Sequence, residues 1–333
     1  MFDARGKGFQ RICRTAYEGT SIVTYASLAI EMVTVALPIL LGWVVAKLGL
    51  IGERFQREAS ALITNVTLPC SILAAMFDVE DLPGLSEMLV IMGAMAVLYL
   101  VGFVVAFVLV KLIHPSAETA GSYSFIVAFG NISFIGFPVI TGILGEEALI
   151  YAAIALIPAN LLMFSVGAMM FSGTSGGRRQ TARAFLNCLK SPPLIASAAL
   201  LVFMLIGFTD WGFVGDAIDT VGGMTTPCAL LVTGATISRY DPREMVSNWR
   251  SYVAVLGRLV IAPLAGMAVL KLMGVDPYIT LVVVLQYAMP VATQGTLYAI
   301  QYEVDTRPIT QGTFISIIAS IFTIPLVVML CGM

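Results

Sequence analysis

Long apolar stretches separated by short polar loops dominate the chain. Ten of them are long enough to cross a hydrocarbon core of about 30 Å. They are predicted at Tyr25–Leu50, Ala59–Phe77, Glu87–Ile113, Thr119–Leu144, Ala148–Phe171, Pro193–Phe208, Val214–Ser238, Ser251–Met273, Tyr278–Gln301 and Pro308–Cys331. Because a chain in lipid must satisfy its backbone hydrogen bonds internally, the pattern predicts an all-α membrane protein with ten transmembrane helices.

Polar and helix-breaking residues interrupt the fourth and the ninth of these spans. A proline removes a backbone donor, and a break of this kind survives in lipid only where protein or a wet cavity satisfies it. Paired breaks in two halves of a chain point to the binding site of a secondary transporter. We therefore take the following as candidate substrate-binding residues: Asn131, Ser133, Gly136, Pro138, Pro290, Thr293 and Gln294.

The two halves of the chain also resemble each other. Three pairs of segments recur in the same order: Thr67–Leu73 with Thr225–Leu231, Pro138 with Pro290, and Pro158 with Pro325. Because each repeat has an odd number of spans, five, the second copy must enter the membrane in the opposite orientation. The predicted organisation is a basic tail at 1–24, a first repeat at 25–171, a cytoplasmic linker at 172–192 and an inverted second repeat at 193–333.

Each interrupted helix exposes backbone donors at the start of its second half, and these starts carry partial positive charge. If the two broken helices meet at the midplane of the membrane, these helix starts should form a small site that favours an anion. Asn131 and Gln294 add uncharged donors for a carboxylate. The alternatives are that each proline marks only a kink, and that the two carboxamides only satisfy backbone groups freed by the prolines.

Charged residues within the spans are few. Arg258 lies inside the eighth span, where it either balances an anion or coupling ion, or extends its head group to the membrane interface. Glu31 lies in the first span and has no assigned role.

Composition narrows the function further. The chain is 59% apolar and 11% charged, with a net charge of −2 that gives no reason to expect nucleic acid as a partner. It has 1 histidine and 5 cysteines without metal-ligand spacing, so we expect no metal, no cofactor and no enzyme activity. Basic residues are concentrated in alternate loops, which predicts that these loops are cytoplasmic and that both termini are outside. The basic residues of the amino-terminal tail oppose that placement.

The broken spans also carry a family resemblance. Asn131–Pro138 and the Met289-Pro290 pair with Gln294 resemble motifs of the auxin efflux carrier family, although Gln294 stands where prokaryotic members more often have Asn. Thr323–Leu326 is similar to the family's final motif, and the resemblance extends over nearly the whole chain from about Tyr25.

This resemblance implies ten helices in which broken helices 4 and 9 cross. Helices 1, 2, 6 and 7 would form a scaffold and a homodimer interface, and helices 3–5 and 8–10 would form a mobile transport domain. The short linker is similar to that of prokaryotic members, which implies the inner membrane.

The leading hypothesis is a secondary transporter of a small organic anion by elevator-type alternating access. The family resemblance implies that the substrate is a mono- or dicarboxylate such as malate or malonate, or an auxin-like weak acid. The alternatives are a cation-coupled symporter of a bile-acid-like amphipathic acid, and a membrane sensor that keeps the carrier fold.

Overall fold

The computed structural model describes residues 37–77, 83–145, 147–172, 190–208, 211–239 and 241–331. The predicted tail at 1–24, Glu31 and most of the linker at 172–192 lie outside these ranges. Within them the chain is helical, and its extended backbone pairs at one isolated bridge between Gly130 and Val291. The all-α class is confirmed, since five helical segments are long and apolar enough to cross a membrane: Leu85–Ile113, Ala148–Phe171, Phe213–Ile237, Trp249–Leu272 and Arg307–Cys331.

The helices of the first half follow the predicted spans, with two differences in their bounds. The second span begins earlier than predicted, because helix continues through polar residues that the apolar pattern excludes. The fourth span consists of two separate helices. The helices are α1 Leu37–Lys47, α2 Glu53–Leu62, α3 Leu68–Ala74, α4 Leu85–Ile113, α5 Ala117–Ala128, α6 Gly136–Leu144, α7 Ala148–Leu162 and α8 Ala168–Ser172.

The second half has the same character. Its ninth predicted span is also divided into two helices, and a short helix precedes the eighth span. The helices are α9 Pro192–Ile206, α10 Phe213–Gly223, α11 Thr225–Ile237, α12 Pro242–Met245, α13 Trp249–Leu256, α14 Ala262–Leu272, α15 Pro277–Tyr287, α16 Gln294–Gln301 and α17 Arg307–Cys331.

Three spans contain a π-helical turn, at Ile63–Thr67, Met163–Gly167 and Gly257–Ile261. Two of these turns, Ile63–Thr67 and Gly257–Ile261, are each followed after one residue by a proline, Pro69 and Pro263, in the first turn of the next helix. Proline has no N–H to donate to the carbonyl four residues earlier, so the preceding turn is free to widen. The turn that precedes Pro263, Gly257–Ile261, joins α13 to α14 and carries Arg258.

The helices pack in two groups. In one group α3 packs against α9 and α10, and α11 packs against α2. In the other group α4 is central and contacts α5, α7, α14 and α15, while α17 packs on α13. Contact between α7 and α9 joins the two groups. The two divided spans both belong to the second group.

Candidate substrate site

The two helix breaks lie directly against each other. The chain is extended at Phe129, where α5 has ended, and it runs antiparallel to the segment between α15 and α16. The Asn131 N–H donates to the Pro290 carbonyl over 2.6 Å, and the Ala292 N–H donates to the Phe129 carbonyl over 3.1 Å. The two breaks are therefore in direct hydrogen-bonding contact.

The two prolines occupy different places in their breaks. Pro138 lies in the first turn of α6, where a helix needs no proline N–H. Pro290 lies in the non-helical segment itself, and its neighbour Val291 donates its N–H to the Ser316 hydroxyl over 3.0 Å. The break in the fourth span therefore precedes its proline, whereas the break in the ninth span contains it.

Several backbone donors at the starts of the second half-helices, α6 and α16, already have hydrogen-bond partners. The Gly136 N–H donates to the Asn131 carbonyl and the Phe137 N–H to the Ser133 carbonyl, each over 3.1 Å. At α16 the Thr296 N–H donates to the Thr293 carbonyl over 3.1 Å. These three N–H groups are therefore not free to bind a ligand, so side chains are the next source of donors.

Asn131 supplies such a donor. Its side-chain Oδ1 accepts the Phe134 N–H over 3.1 Å, which fixes the orientation of the carboxamide. The side chain is buried, and Nδ2 has no hydrogen-bond partner among the described residues. A buried donor without a partner costs about 1–3 kcal/mol. Asn131 thus both satisfies the freed backbone, as one alternative held, and presents an unused N–H group.

Gln286 is a polar residue of this site that the sequence reasoning did not assign. It lies at the end of α15, is fully buried, and donates through Nε2 to the carbonyls of Ala152 (3.0 Å) and Ile132 (3.4 Å). These partners accept only, so Oε1 is left as a buried acceptor without a partner among the described residues. The sequence could have indicated Gln286, because a carboxamide directly after the apolar run 281–285 is costly within a membrane span.

Arg258 connects the ends of both broken helices. Its Nη1 donates to the Ala128 carbonyl over 2.8 Å, at the last residue of α5. Its Nη2 donates to the Tyr287 carbonyl, at the last residue of α15, and Nε donates to the Met289 carbonyl over 3.1 Å. The side chain is fully buried. It therefore does not extend to the membrane interface, contrary to that alternative.

The space for the guanidinium depends on a glycine. A Cβ atom at Gly130 would meet the Arg258 guanidinium, with its Cζ at 2.8 Å, and would lie 2.9 Å from the Met289 carbonyl oxygen. The guanidinium also stacks on the Tyr287 ring, with its Cζ 4.2 Å from the ring centroid.

The remaining predicted residues lie around this contact between the two breaks. Gly136 lies beside the Asn131 carbonyl, which would be 3.6 Å from a Cβ at that position. Ser133, Thr293 and Gln294 are half-buried, and within the described chain their side chains make no hydrogen bonds. Gln294 is the first residue of α16, so its carboxamide, which has no hydrogen-bond partner among the described residues, lies at the break.

Two cavities flank α6, the half-helix that follows Asn131. A cavity of about 520 Å³ contacts Phe137 and Thr141 of α6 and is closed on its other side by α3, α10 and α11, including Ser71 and Thr226. An apolar cavity of about 350 Å³ contacts Ile135 on a different face. The half-helix therefore forms a wall shared by a polar and an apolar space.

Discontinuous membrane helices that meet at a buried polar site are a feature of membrane transporters. A family model described as "Membrane transport protein" matches residues 27–328 of this chain. The chain belongs to this family of transporters, which is the auxin efflux carrier family that its motifs resemble.

Several relatives match over most of their length. An "Uncharacterized transporter" of Methanothermobacter thermautotrophicus is 27% identical over 89% of this chain and 95% of its own length. The "Uncharacterized transporter YfdV" of Escherichia coli strain K12 is 21% identical over 89% of this chain and 95% of the relative. A "Putative malonate transporter" of Rhizobium meliloti is 24% identical over 80% of this chain and 83% of the relative.

Proposed function

We propose that this membrane transporter carries a small organic anion, with the carboxylate bound where the two broken helices meet. The unused, buried Nδ2 donor of Asn131 at that meeting point supports this assignment most directly. A carboxylate accepts such a donor without requiring a charged partner. Gln294 and Thr293 complete the donor set from the other broken helix.

Arg258 acts in this proposal as a fixed positive charge beside the site and makes no direct contact with the substrate. Three of its N–H groups are committed to backbone carbonyls. It holds the carboxyl-terminal ends of α5 and α15 together. Its positive charge also favours an anion beside the starts of α6 and α16.

Transport proceeds by elevator-type alternating access in this proposal. The group of helices around α4 carries the site and moves against the group that contains α3, α9, α10 and α11, which serves as the scaffold and the homodimer interface. The 520 Å³ cavity between the two groups supports this division, because it places Phe137 and Thr141 of α6 opposite Ser71 and Thr226. An inverted five-helix repeat, with both termini outside the inner membrane, is part of the same proposal.

Small dicarboxylates are the first substrates to test. The name of the Rhizobium meliloti relative gives malonate, a compound of this class. An amphipathic acid is the second candidate, since the 350 Å³ cavity beside Ile135 is lined by apolar side chains that would accept a ring or an alkyl chain.

The test is uptake of radiolabelled carboxylates into proteoliposomes, with and without ion gradients. The panel holds malonate, malate, an aromatic monocarboxylate and a bile acid. We expect uptake of at least one small acid, and a loss of about 5- to 100-fold in Asn131→Ala from the missing donor. Thr220→Ala, on the exposed face of α10, is the matched control. If no acid is taken up, or if Asn131→Ala transports at the wild-type rate, the assignment is wrong.

A further inference from the structure

A polar cavity of about 470 Å³ lies away from the crossing, where three helices of the second group begin. Its walls come from the starts of α5, α13 and α17 and the loops that precede them. These loops are at the end of the molecule that carries the basic residues, which we predict to be cytoplasmic. The cavity is separate from the substrate site and takes no part in the proposal above.

The main donor in this cavity is Arg250. Its Nε donates to the Ile113 carbonyl over 2.9 Å, which anchors the side chain to the end of α4. The two terminal nitrogens make no hydrogen bond within the described chain, so their donors remain for a ligand. The guanidinium also stacks on Trp249, with its carbon 5.3 Å from the ring centroid. Arg250 is therefore held in place without being neutralised.

Tyr123 adds a donor from the buried wall. Its side chain is 2% exposed, and its hydroxyl oxygen accepts the Asn248 Nδ2 over 2.7 Å. An amide nitrogen can only donate, so the hydroxyl proton of Tyr123 remains available for an acceptor in the cavity.

The carboxylate in the lining does not oppose an anion. Both oxygens of Asp305 accept from the Arg307 guanidinium, at 2.8 to 3.1 Å. These hydrogen bonds hold the pKa of Asp305 below its usual value, so the carboxylate stays ionised and committed to Arg307. The lining contains two arginines, Arg250 and Arg307, and one carboxylate, Asp305, so it keeps a net positive charge. The terminal nitrogens of Arg250 remain as unused donors. The starts of α13 and α17 are capped by Asn248 and Asp305, so the available donors are side chains.

We propose that this cavity binds a phosphate group, carried either by an anionic lipid headgroup or by a soluble phosphate ester. Planar guanidinium groups suit phosphate oxygens, and basic pockets between membrane helices on the cytoplasmic side bind lipid headgroups. The membrane interface is close to the cavity, because Trp249 and Tyr252 on α13 are 57% and 45% exposed, as expected of aromatic residues at headgroup level.

The test uses the purified full-length chain. Retention of phosphatidylglycerol against phosphatidylcholine is measured by native mass spectrometry, and thermal stabilisation by inorganic phosphate and glycerol 3-phosphate is measured in parallel. We expect wild type to bind at least one phosphate carrier and Arg250→Gln to bind about tenfold more weakly, as for loss of a charge-assisted hydrogen bond. Tyr123→Phe should weaken binding less while leaving the fold intact.

Arg54→Gln is the matched control, because it removes an exposed arginine that does not line the cavity. Preference for phosphatidylglycerol alone identifies a lipid headgroup, and stabilisation by the soluble phosphates alone identifies a soluble ester. The proposal is overturned if wild type binds neither, if Arg250→Gln and Tyr123→Phe both bind as wild type does, or if Arg54→Gln loses binding equally.

Discussion

Arg258 raises the question of how a buried cation is balanced. No carboxylate forms a salt bridge with it among the described residues, and three backbone carbonyls receive its N–H groups. Each helix carboxyl end carries the equivalent of about −0.5 elementary charge. The ends of α5 and α15 together therefore offset part of the guanidinium charge, and without Arg258 these two partially negative ends would repel each other.

Replacing Arg258 should therefore destabilise the contact between the two breaks. Arg258→Met leaves both helix ends unpaired, and we expect a loss of about 3–5 kcal/mol in stability together with loss of transport. Arg258→Lys should recover only part of this, because one ammonium group cannot match the planar donors that reach carbonyls on both breaks. Thermal unfolding in detergent and proteoliposome uptake measure the two effects.

Arg54→Met is the control for that experiment, since Arg54 is exposed and its ion pair among the described residues is with the exposed Glu58. It should leave both readouts unchanged. If Arg258→Met were as stable and active as wild type, the guanidinium would have no role in holding the breaks together.

Gly130 offers a steric test of the same arrangement. Gly130→Ala adds only a methyl group, but that group would overlap the Arg258 guanidinium. We expect lower thermal stability and slower transport. Gly93→Ala is the matched control, because no neighbouring heavy atom lies within 4 Å of a Cβ there, and alanine in a helix interior should stabilise by about 0.5–1 kcal/mol. Equal behaviour of the two variants would contradict the packing described.

At the scale of residues, the sequence identified two polar side chains of the site but not their hydrogen-bond partners. Asn131 and Arg258 were visible because polar residues are costly within apolar spans. The partners of Arg258 are backbone carbonyls of Ala128, Tyr287 and Met289, and a carbonyl has no signature in the sequence. Gln286 was missed because it precedes the break and does not lie within it.

At the scale of elements, the two breaks are built differently. Pro138 lies in the first turn of α6, where a helix needs no N–H from it, whereas Pro290 lies in the non-helical segment and its carbonyl accepts the Asn131 N–H. We expect Pro290→Ala to reduce transport more than Pro138→Ala does, because it allows α15 to continue into the break. Hydrogen–deuterium exchange of peptides that cover 286–294 should slow in Pro290→Ala if the helix extends. A larger effect of Pro138→Ala on both readouts would contradict this order.

The elements themselves were predictable to different degrees. The long apolar stretches predicted the spans, and the Gly, Asn and Pro residues within them predicted the two breaks. The bounds of the half-helices were not predictable, because α5 ends where the other break supplies hydrogen bonds to Phe129 and Asn131. The π-helical turn that carries Arg258 was also not predicted, since Pro263 alone is compatible with a simple kink.

For the whole molecule, the packing of α6 is decisive. It belongs to the group of helices around α4, yet Thr141 of α6 and Thr226 of α11 line the same cavity between the groups. If the groups move relative to each other during transport, that cavity must change shape in every cycle. A covalent link across it should then stop the cycle, whereas a link within one group should not.

Cysteines at Thr141 and Thr226, in a background without the native cysteines, test this requirement. A short bifunctional thiol reagent should join them and abolish uptake, and reduction of a cleavable reagent should restore it. Phe77→Cys with Trp211→Cys is the matched pair, because these rings pack 5.9 Å apart beside α3 and α10, within one group. That pair should crosslink without loss of transport. Full uptake by the linked 141–226 protein would mean that the two groups do not move at this cavity, and the elevator proposal would fail while the substrate assignment could still hold.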